Sequence, residues 1–157
     1  MYQPINSFFF ITDDYFTDFP DPYLKGYKGG NRPYYYCFKD NQGIIWVIPL
    51  TSQIDKFNKI ITKKKKNGQP YEDLFHFLKI GGQESVLLIA DMFPITEKYI
   101  ERPYTISGVP FKLLDKNEIS KIDKKAKKIL ALLRKGTKFM KTQADVLKIE
   151  SDLKSNL

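Results

Sequence analysis

The chain has 157 residues, of which 42% are hydrophobic, 15% aromatic and 28% charged, a composition that fits a single folded domain and argues against a disordered or fibrous chain. Its 26 Lys and Arg against 18 Asp and Glu leave a formal charge of +8, the sign that steers polyanions towards a surface. One cysteine, Cys37, and one histidine, His76, exclude an internal disulfide and the usual zinc ligand sets.

Charge is unevenly placed. The residues before Lys25 include acids and no base, whereas Lys63 to Lys66 form an unbroken basic run and residues 116–138 hold a second cluster that includes Lys121, Lys124, Lys125 and Lys128. One lysine-rich helix is ordinary solvated surface. Two clusters in an aromatic-rich chain point instead to nucleic acid. No apolar run approaches the roughly 18 residues of a membrane span, and the Phe8–Ile11 patch lacks the basic leader and length of a signal peptide. A cytoplasmic protein without a membrane partner is expected.

In chain order, the first strong signal is a hairpin. Tyr34–Phe38 and Ile44–Leu50 are aromatic and β-branched, separated by the turn-forming KDNQG segment, with Pro33 and Pro49 at their outer ends. Pairing back through that turn brings Arg32 beside Thr51 and Ser52. The following TSQIDKFNKII reads as a helix capped by Thr51 or Ser52, with Lys56 about one turn in. Asp73–Ile80 and Glu84–Ile95 then flank the Gly81-Gly82 reversal, and Val86–Ala90 reads as a strand buried on both faces. A short helical turn is expected over Thr96–Glu101 and a further strand over Arg102–Ser107.

Helical signals dominate the last third. Asp115 followed by Glu118 is a capping-box pattern, with Ile119, Ile122, Ala126, Ile129, Leu130 and Leu133 at helical spacing and Gly136 as a stop. A second helix is expected from near Thr142, with Val146, Leu147, Ile149 and Leu153 on its apolar side. The expected class is α+β: one domain over 1–157, mainly β over 1–110 and helical over 115–155, the meander closing as a compact barrel or half-barrel.

The familiar chemical motifs are absent. There is no phosphate-binding G-x-x-x-x-G-K-[ST], no dinucleotide G-x-G-x-x-G after a strand, no G-x-S-x-G elbow and no carboxylate cluster spaced for a metal. The polar residues that look placed are Arg32, Thr51, Ser52, Lys56 and His76. Singly, each has a plain reading: a surface arginine, a helix cap, a structural histidine between Phe75 and Phe77. Jointly, Arg32 and the hydroxyl pair suit one phosphodiester, because a guanidinium matches phosphoryl oxygens and a helix start supplies N–H donors. RNA carries its own nucleophile in the 2′-hydroxyl, so a cleaving site needs only to align it, stabilise charge and assist proton transfer, without metal or cofactor.

At these residues the sequence resembles the toxins of type III toxin-antitoxin systems, the ToxN, AbiQ, TenpN and CptN group, and most closely the CptN branch. The resemblance is carried by GGNRPYYYCFKD, IPLTSQIDKF, NGQPYEDLFHFLKI and SVLLIADMFPI, in that order from Gly29 to Ile95. It implies a highly twisted, barrel-like antiparallel sheet with added helices, similar to the MazF and PemK toxins. It also implies a metal-independent endoribonuclease that processes a small repetitive antitoxin RNA, with a pseudoknot-like repeat expected, and is inhibited by it in a cyclic protein-RNA assembly. Thr51 and Ser52 fall on the family's hydroxyl pair, implicated in catalysis. Arg32 falls where more distant members carry a catalytic lysine, and an arginine that stays protonated can hold phosphate but not act as a base. Proton transfer is then left to Ser52, Thr51, a lysine or His76, the one imidazole of the chain. Asn31, Lys56, Lys63, Lys64, Lys65, Lys66, Lys121, Lys124, Lys125 and Lys128 are the expected RNA contacts. Two other readings stay open: a non-catalytic RNA-binding module stacking bases on Tyr34 to Tyr36, and a MazF-like toxin held by a protein antitoxin.

Overall fold

The computed structural model describes residues 3–24 and 32–157. The chain begins with strand β1 (Phe8–Ile11) and a short helix α1 (Asp13–Asp18), followed by the hairpin β2 (Tyr34–Lys39) and β3 (Ile45–Thr51) and by helix α2 (Ile54–Lys66). A second hairpin, β4 (Phe75–Ile80) and β5 (Gln83–Leu88), precedes β6 (Phe93–Ile95), β7 (Ile100–Pro103) and the small β8 (Thr105–Ile106) and β9 (Val109–Pro110) pair. Helices α3 (Lys116–Arg134) and α4 (Val146–Ser155) complete the fold.

The seven strands β1 to β7 form one sheet in the order β4-β5-β3-β2-β1-β7, with β6 also paired to β3. All of these pairings are antiparallel. The architecture is α+β as expected, yet the sheet is not a closed barrel: β4 and β7 are its two ends and share no ladder among the described residues. Contact across the gap is made by side chain. The β8–β9 tip lies over the β4–β5 turn so closely that a Cβ on Gly81 would stand 3.0 Å from Ile106 Cδ1.

The hairpin turn is built by Asp40, whose carboxylate accepts from the N–H groups of Gln42 (2.9 Å) and Ile44 (3.0 Å). Tyr36 pairs with Val47 and Phe38 with Trp46, so Cys37 is the extra residue of a bulge, which strict alternation does not foresee. The run expected over Glu84–Ile95 is broken by a 3-10 turn at Ile89–Asp91, which separates β5 from β6 and lets both reach the same edge of β3. The expected Arg102–Ser107 strand divides into β7 and β8. The turn near Thr96–Glu101 forms as a 3-10 turn at Glu97–Tyr99. Strand β1 and helix α1 are additions to the expected elements.

Helix α3 lays Ile122, Ala126, Ile129, Leu130 and Leu133 into the core. Asp115 caps it, accepting from Asn117 N (2.9 Å) and Glu118 N (3.2 Å). The other half of the expected capping box does not form, because Glu118 turns to His76. Helix α4 starts later than Thr142, at Val146, where Asp145 accepts from Lys148 N. Arg134 holds Glu150 through two hydrogen bonds of 2.7 and 2.9 Å, joining the two helices. No helix among the described residues is long and apolar enough to cross a membrane.

Candidate phosphate-binding cavity

The register of the first hairpin positions the cavity. Tyr34 pairs with Pro49, and Leu50 N donates to Pro33 O at 3.1 Å. One step further out, Arg32 falls at the end of β3, where Thr51 finishes the strand and Ser52 leads into α2. Arg32, Thr51, Ser52, Gln53 and Lys56 line a cavity of about 700 Å³, together with Ile80, Gln83 and Ser85 of the second hairpin and Tyr104. The structure therefore brings together two residues on the far sides of a hairpin and the first turn of the next helix.

The chemistry of this lining is one-sided. It holds a guanidinium, an ammonium, several hydroxyls and side-chain amides, and among the described residues no carboxylate or imidazole. Arg32 Nη1 is buried and has no hydrogen-bond partner among the described residues. A buried charged donor without a partner is costly, so an anionic oxygen placed there would recover that cost. Thr51 Oγ1 accepts from Gln53 N at 3.2 Å, while the exposed Ser52 hydroxyl has no partner among the described residues.

The start of α2 differs from the expected cap. The capping position falls on Gln53, which makes no side-chain cap bond, and neither Thr51 nor Ser52 is the cap residue. Helices α3 and α4, by contrast, are closed by Asp115 and Asp145. Ile54 N donates to Ser52 O at 2.8 Å, so the uncapped first turn retains the N–H groups of Asp55 and Lys56 and the positive end of the helix dipole, both of which attract phosphate.

The other expected residues lie apart from the cavity. Lys63, Lys64, Lys65 and Lys66 form the last turn of α2, about 14 Å or more along the helix from its start at a rise of 1.5 Å per residue. There they complement the helix dipole, and Lys65 lies over the Tyr71 ring at 5.1 Å. Of the α3 lysines, Lys128 pairs with Asp73 at 2.6 Å, and Lys121 and Lys124 are exposed. None lines the cavity. Asn31 lies outside the described residues.

His76 is also elsewhere. It is buried on β4, with Nε2 at 2.5 Å from Glu118 Oε2 and Nδ1 at 3.2 Å from Lys125 Nζ. Because an ammonium only donates, Nδ1 accepts and the ring proton sits on Nε2, directed at Glu118. Lys125 also donates to Phe75 O at 2.9 Å. Burial lowers the pKa of His76, outweighing the hydrogen bond to Glu118, and Lys125 lowers it further. Burial lowers that of Lys125 as well. This cluster fastens α3 to β4.

Gln53, Gln83, Ser85 and Tyr104 line the cavity but carry no signal in the sequence. Gln53 comes with the start of α2, Gln83 and Ser85 through the pairing of β5 with β3, and Tyr104 through the return of the chain after β7.

The chain has the α+β fold of the type III toxin-antitoxin toxins, the resemblance seen in the sequence being met in three dimensions at the level of the fold. Three solved structures carry the comparison. AbiQ, a lactococcal anti-phage endoribonuclease of the type III systems, superposes with a TM-score of 0.73 at 16% identity, over 98% of each chain. A type III toxin selectively inhibited by a non-coding RNA pseudoknot gives a TM-score of 0.65 at 19% identity, over 98% of each chain. A bacterial antiviral system regulated by a processed non-coding RNA gives 0.61 at 16% identity, over 95% of this chain and 98% of the other. No protein-family description matches the chain, and no curated protein matches it.

Proposed function

We propose that this chain is a type III toxin, a cytoplasmic endoribonuclease whose single domain cleaves RNA without a metal and is held inactive by a small structured RNA. The observation that carries the reading is the cavity itself. It joins Arg32, whose buried Nη1 has no partner among the described residues, to a Ser52 hydroxyl likewise without one and an uncapped helix start. The fold shared with an endoribonuclease and with an RNA-inhibited toxin supports it.

In the reaction, the 2′-oxygen attacks the adjacent phosphorus, the bond to the 5′-oxygen breaks, and a 2′,3′-cyclic phosphate and a 5′-hydroxyl result. Arg32 binds a non-bridging oxygen and stabilises the charge that develops on it. The N–H groups of Asp55 and Lys56 in the first turn of α2 and the Thr51 hydroxyl hold the phosphate in line. Ser52 relays the proton removed from the 2′-hydroxyl to solvent, and the Lys56 ammonium gives a proton to the departing 5′-oxygen, which leaves as the 5′-hydroxyl, and is reprotonated from solvent. His76 takes no part in this sequence, since it does not line the cavity. Among the described residues the lining offers no carboxylate or imidazole, so the chemistry is assigned to the chain's own cationic and hydroxyl groups.

Lys63 to Lys66, with the exposed Lys121 and Lys124, guide RNA beyond the cavity, and Asn31, the residue before Arg32 in the sequence, adds a contact. A folded repeat of the inhibitory RNA occupies the same cavity with its processed end, and a second repeat meets another surface, so toxins and RNAs close into a ring. No protein antitoxin is needed, and growth arrest during phage infection is the expected outcome. The β8–β9 tip packed over the β4–β5 turn supports a barrel-like curl of the sheet similar to that of the MazF and PemK toxins. Ser52→Ala tests the assignment: cleavage should fall at least a hundredfold while RNA affinity stays within about twofold, as expected of a group used mainly in the transition state. Unchanged cleavage would remove Ser52 from the mechanism.

A further inference from the structure

Phe77 is the aromatic side chain of the β4–β5 hairpin that faces out, 38% exposed, while its neighbour Phe75 packs on Phe57 of α2 at 5.7 Å. Register fixes where it stands. Thr51 pairs with Val86, and Val86 pairs with Phe77, so the three lie in one row on one face of the sheet. Two strand spacings separate Phe77 from Thr51, about 10 Å, a reach open to the nucleotide that flanks a phosphate bound at Thr51.

The row ends in a groove. Phe77 and Glu84 of the hairpin face Ile54 and Asn58 of α2 across a space of about 310 Å³, and Ser85 lines both this groove and the phosphate cavity. The two spaces differ in chemistry. The phosphate cavity carries cations and, among the described residues, no carboxylate, whereas the groove carries a phenyl ring, an amide and both charges of a cross-strand pair, Glu84 and Lys79, which form no ion pair with each other and so leave the Glu84 carboxylate open. A carboxylate repels phosphate and accepts from N–H. A ring offers a stacking face to any base, and an amide both donates and accepts.

We propose that this groove is a nucleobase subsite: the base next to the reacting phosphate stacks on Phe77 and directs an exocyclic amine to Glu84, with Asn58 on its remaining edge. Adenine, cytosine and guanine each carry such an amine. Uracil presents carbonyls on both sides of its one N–H and meets the carboxylate unfavourably. The inference deepens the ribonuclease reading by placing a base-selecting element beside the scissile phosphate.

The test uses fluorescein-labelled 2′-fluoro RNA of A, C or U, about 12 nucleotides long, within the range a single-strand groove covers. Lacking the nucleophile, these probes report binding alone. Wild type should bind the A and C oligomers about tenfold more tightly than U. Phe77→Leu should weaken them about tenfold or more, Phe77→Trp should not, and Glu84→Gln should erase the preference over U. Binding by Phe77→Leu equal to wild type, or equal losses in Phe77→Leu and Phe77→Trp, would overturn the subsite. Cleavage of unmodified RNA is read separately. Its absence in wild type, with the binding effects present, removes the ribonuclease reading and leaves the subsite; its presence without those effects removes the subsite alone.

Discussion

Gly81 sits where the two hairpin tips meet, and Gly81→Ala perturbs that junction in two ways. Its φ of +58° is left-handed, a conformation that costs an L-residue about 1–2 kcal/mol. The added methyl also meets Ile106 Cδ1 at 3.0 Å. Gly82 has a φ of +82° and no atom within 4 Å of its virtual Cβ, so Gly82→Ala carries strain without crowding. For a chain of this length 1 kcal/mol corresponds to roughly 2–4 °C in Tm, so Gly82→Ala should melt about 2–8 °C lower and Gly81→Ala lower still. Ile106→Val removes the crowding atom and should recover the difference, about 0.5–1 kcal/mol of coupling in a double-mutant cycle. Thermal unfolding of the four variants measures it. Because Ile80 and Gln83, on either side of the glycine pair, line the phosphate cavity, RNA cleavage should fall in Gly81→Ala and return with Ile106→Val. A zero coupling energy would refute the claim that these tips press on one another.

Three other outcomes follow from the geometry. Arg134→Ala leaves Glu150, a buried carboxylate, without its two hydrogen bonds; because Arg134 itself is half exposed, the loss should be about 1–3 kcal/mol by urea denaturation. The same pair holds the Glu150 pKa below the usual carboxylate value, chiefly through the hydrogen bond from Arg134. Its stabilisation is therefore complete above pH ~4.5 and is lost as pH falls through the depressed pKa, and Arg134→Ala should flatten that acid limb. His76 is shifted the same way by burial, so the unfolded chain takes up its proton first and stability should drop as pH falls below about 6.5; His76→Gln should remove that dependence in unfolding measurements between neutral pH and about pH 5. Replacing Lys63 to Lys66 by Gln should weaken single-stranded RNA binding and reduce the slope of log affinity against log salt by about 0.7 for each phosphate that is no longer neutralised. An unchanged slope would take this run out of the RNA path.

Much of the site was legible because it rests on local rules. Two β-rich runs around KDNQG define a hairpin, and counting back through the turn places Arg32 by Thr51, a conclusion that survives the bulge at Cys37. Asp115 and the apolar spacing after it locate α3 almost to the residue. The Gly81-Gly82 pair marks its turn because two successive left-handed residues suit little else.

Elsewhere tertiary partners overrode the local pattern. Phe8 and Phe9 are both fully buried, so β1 shows no alternation and reads only as an apolar patch. Glu118 has the right spacing for a capping box yet bonds His76 across the fold, and no local rule anticipates a partner 42 residues away. The same interaction explains why the lone histidine stands apart from the cavity. Sheet closure was overestimated because the strand count permits a barrel, whereas the 3-10 turn at Ile89–Asp91 brings β5 and β6 to a shared edge of β3 and leaves β4 and β7 as ends.

The most direct test of the ribonuclease account is to incubate the purified chain, freed of bound RNA, with total RNA in excess EDTA and to identify the new ends. The account predicts 2′,3′-cyclic phosphate and 5′-hydroxyl ends from wild type, and none from Arg32→Ala. Intact RNA under conditions where the protein binds it, or ends bearing 5′-phosphate that appear only when a divalent metal is restored, would contradict it.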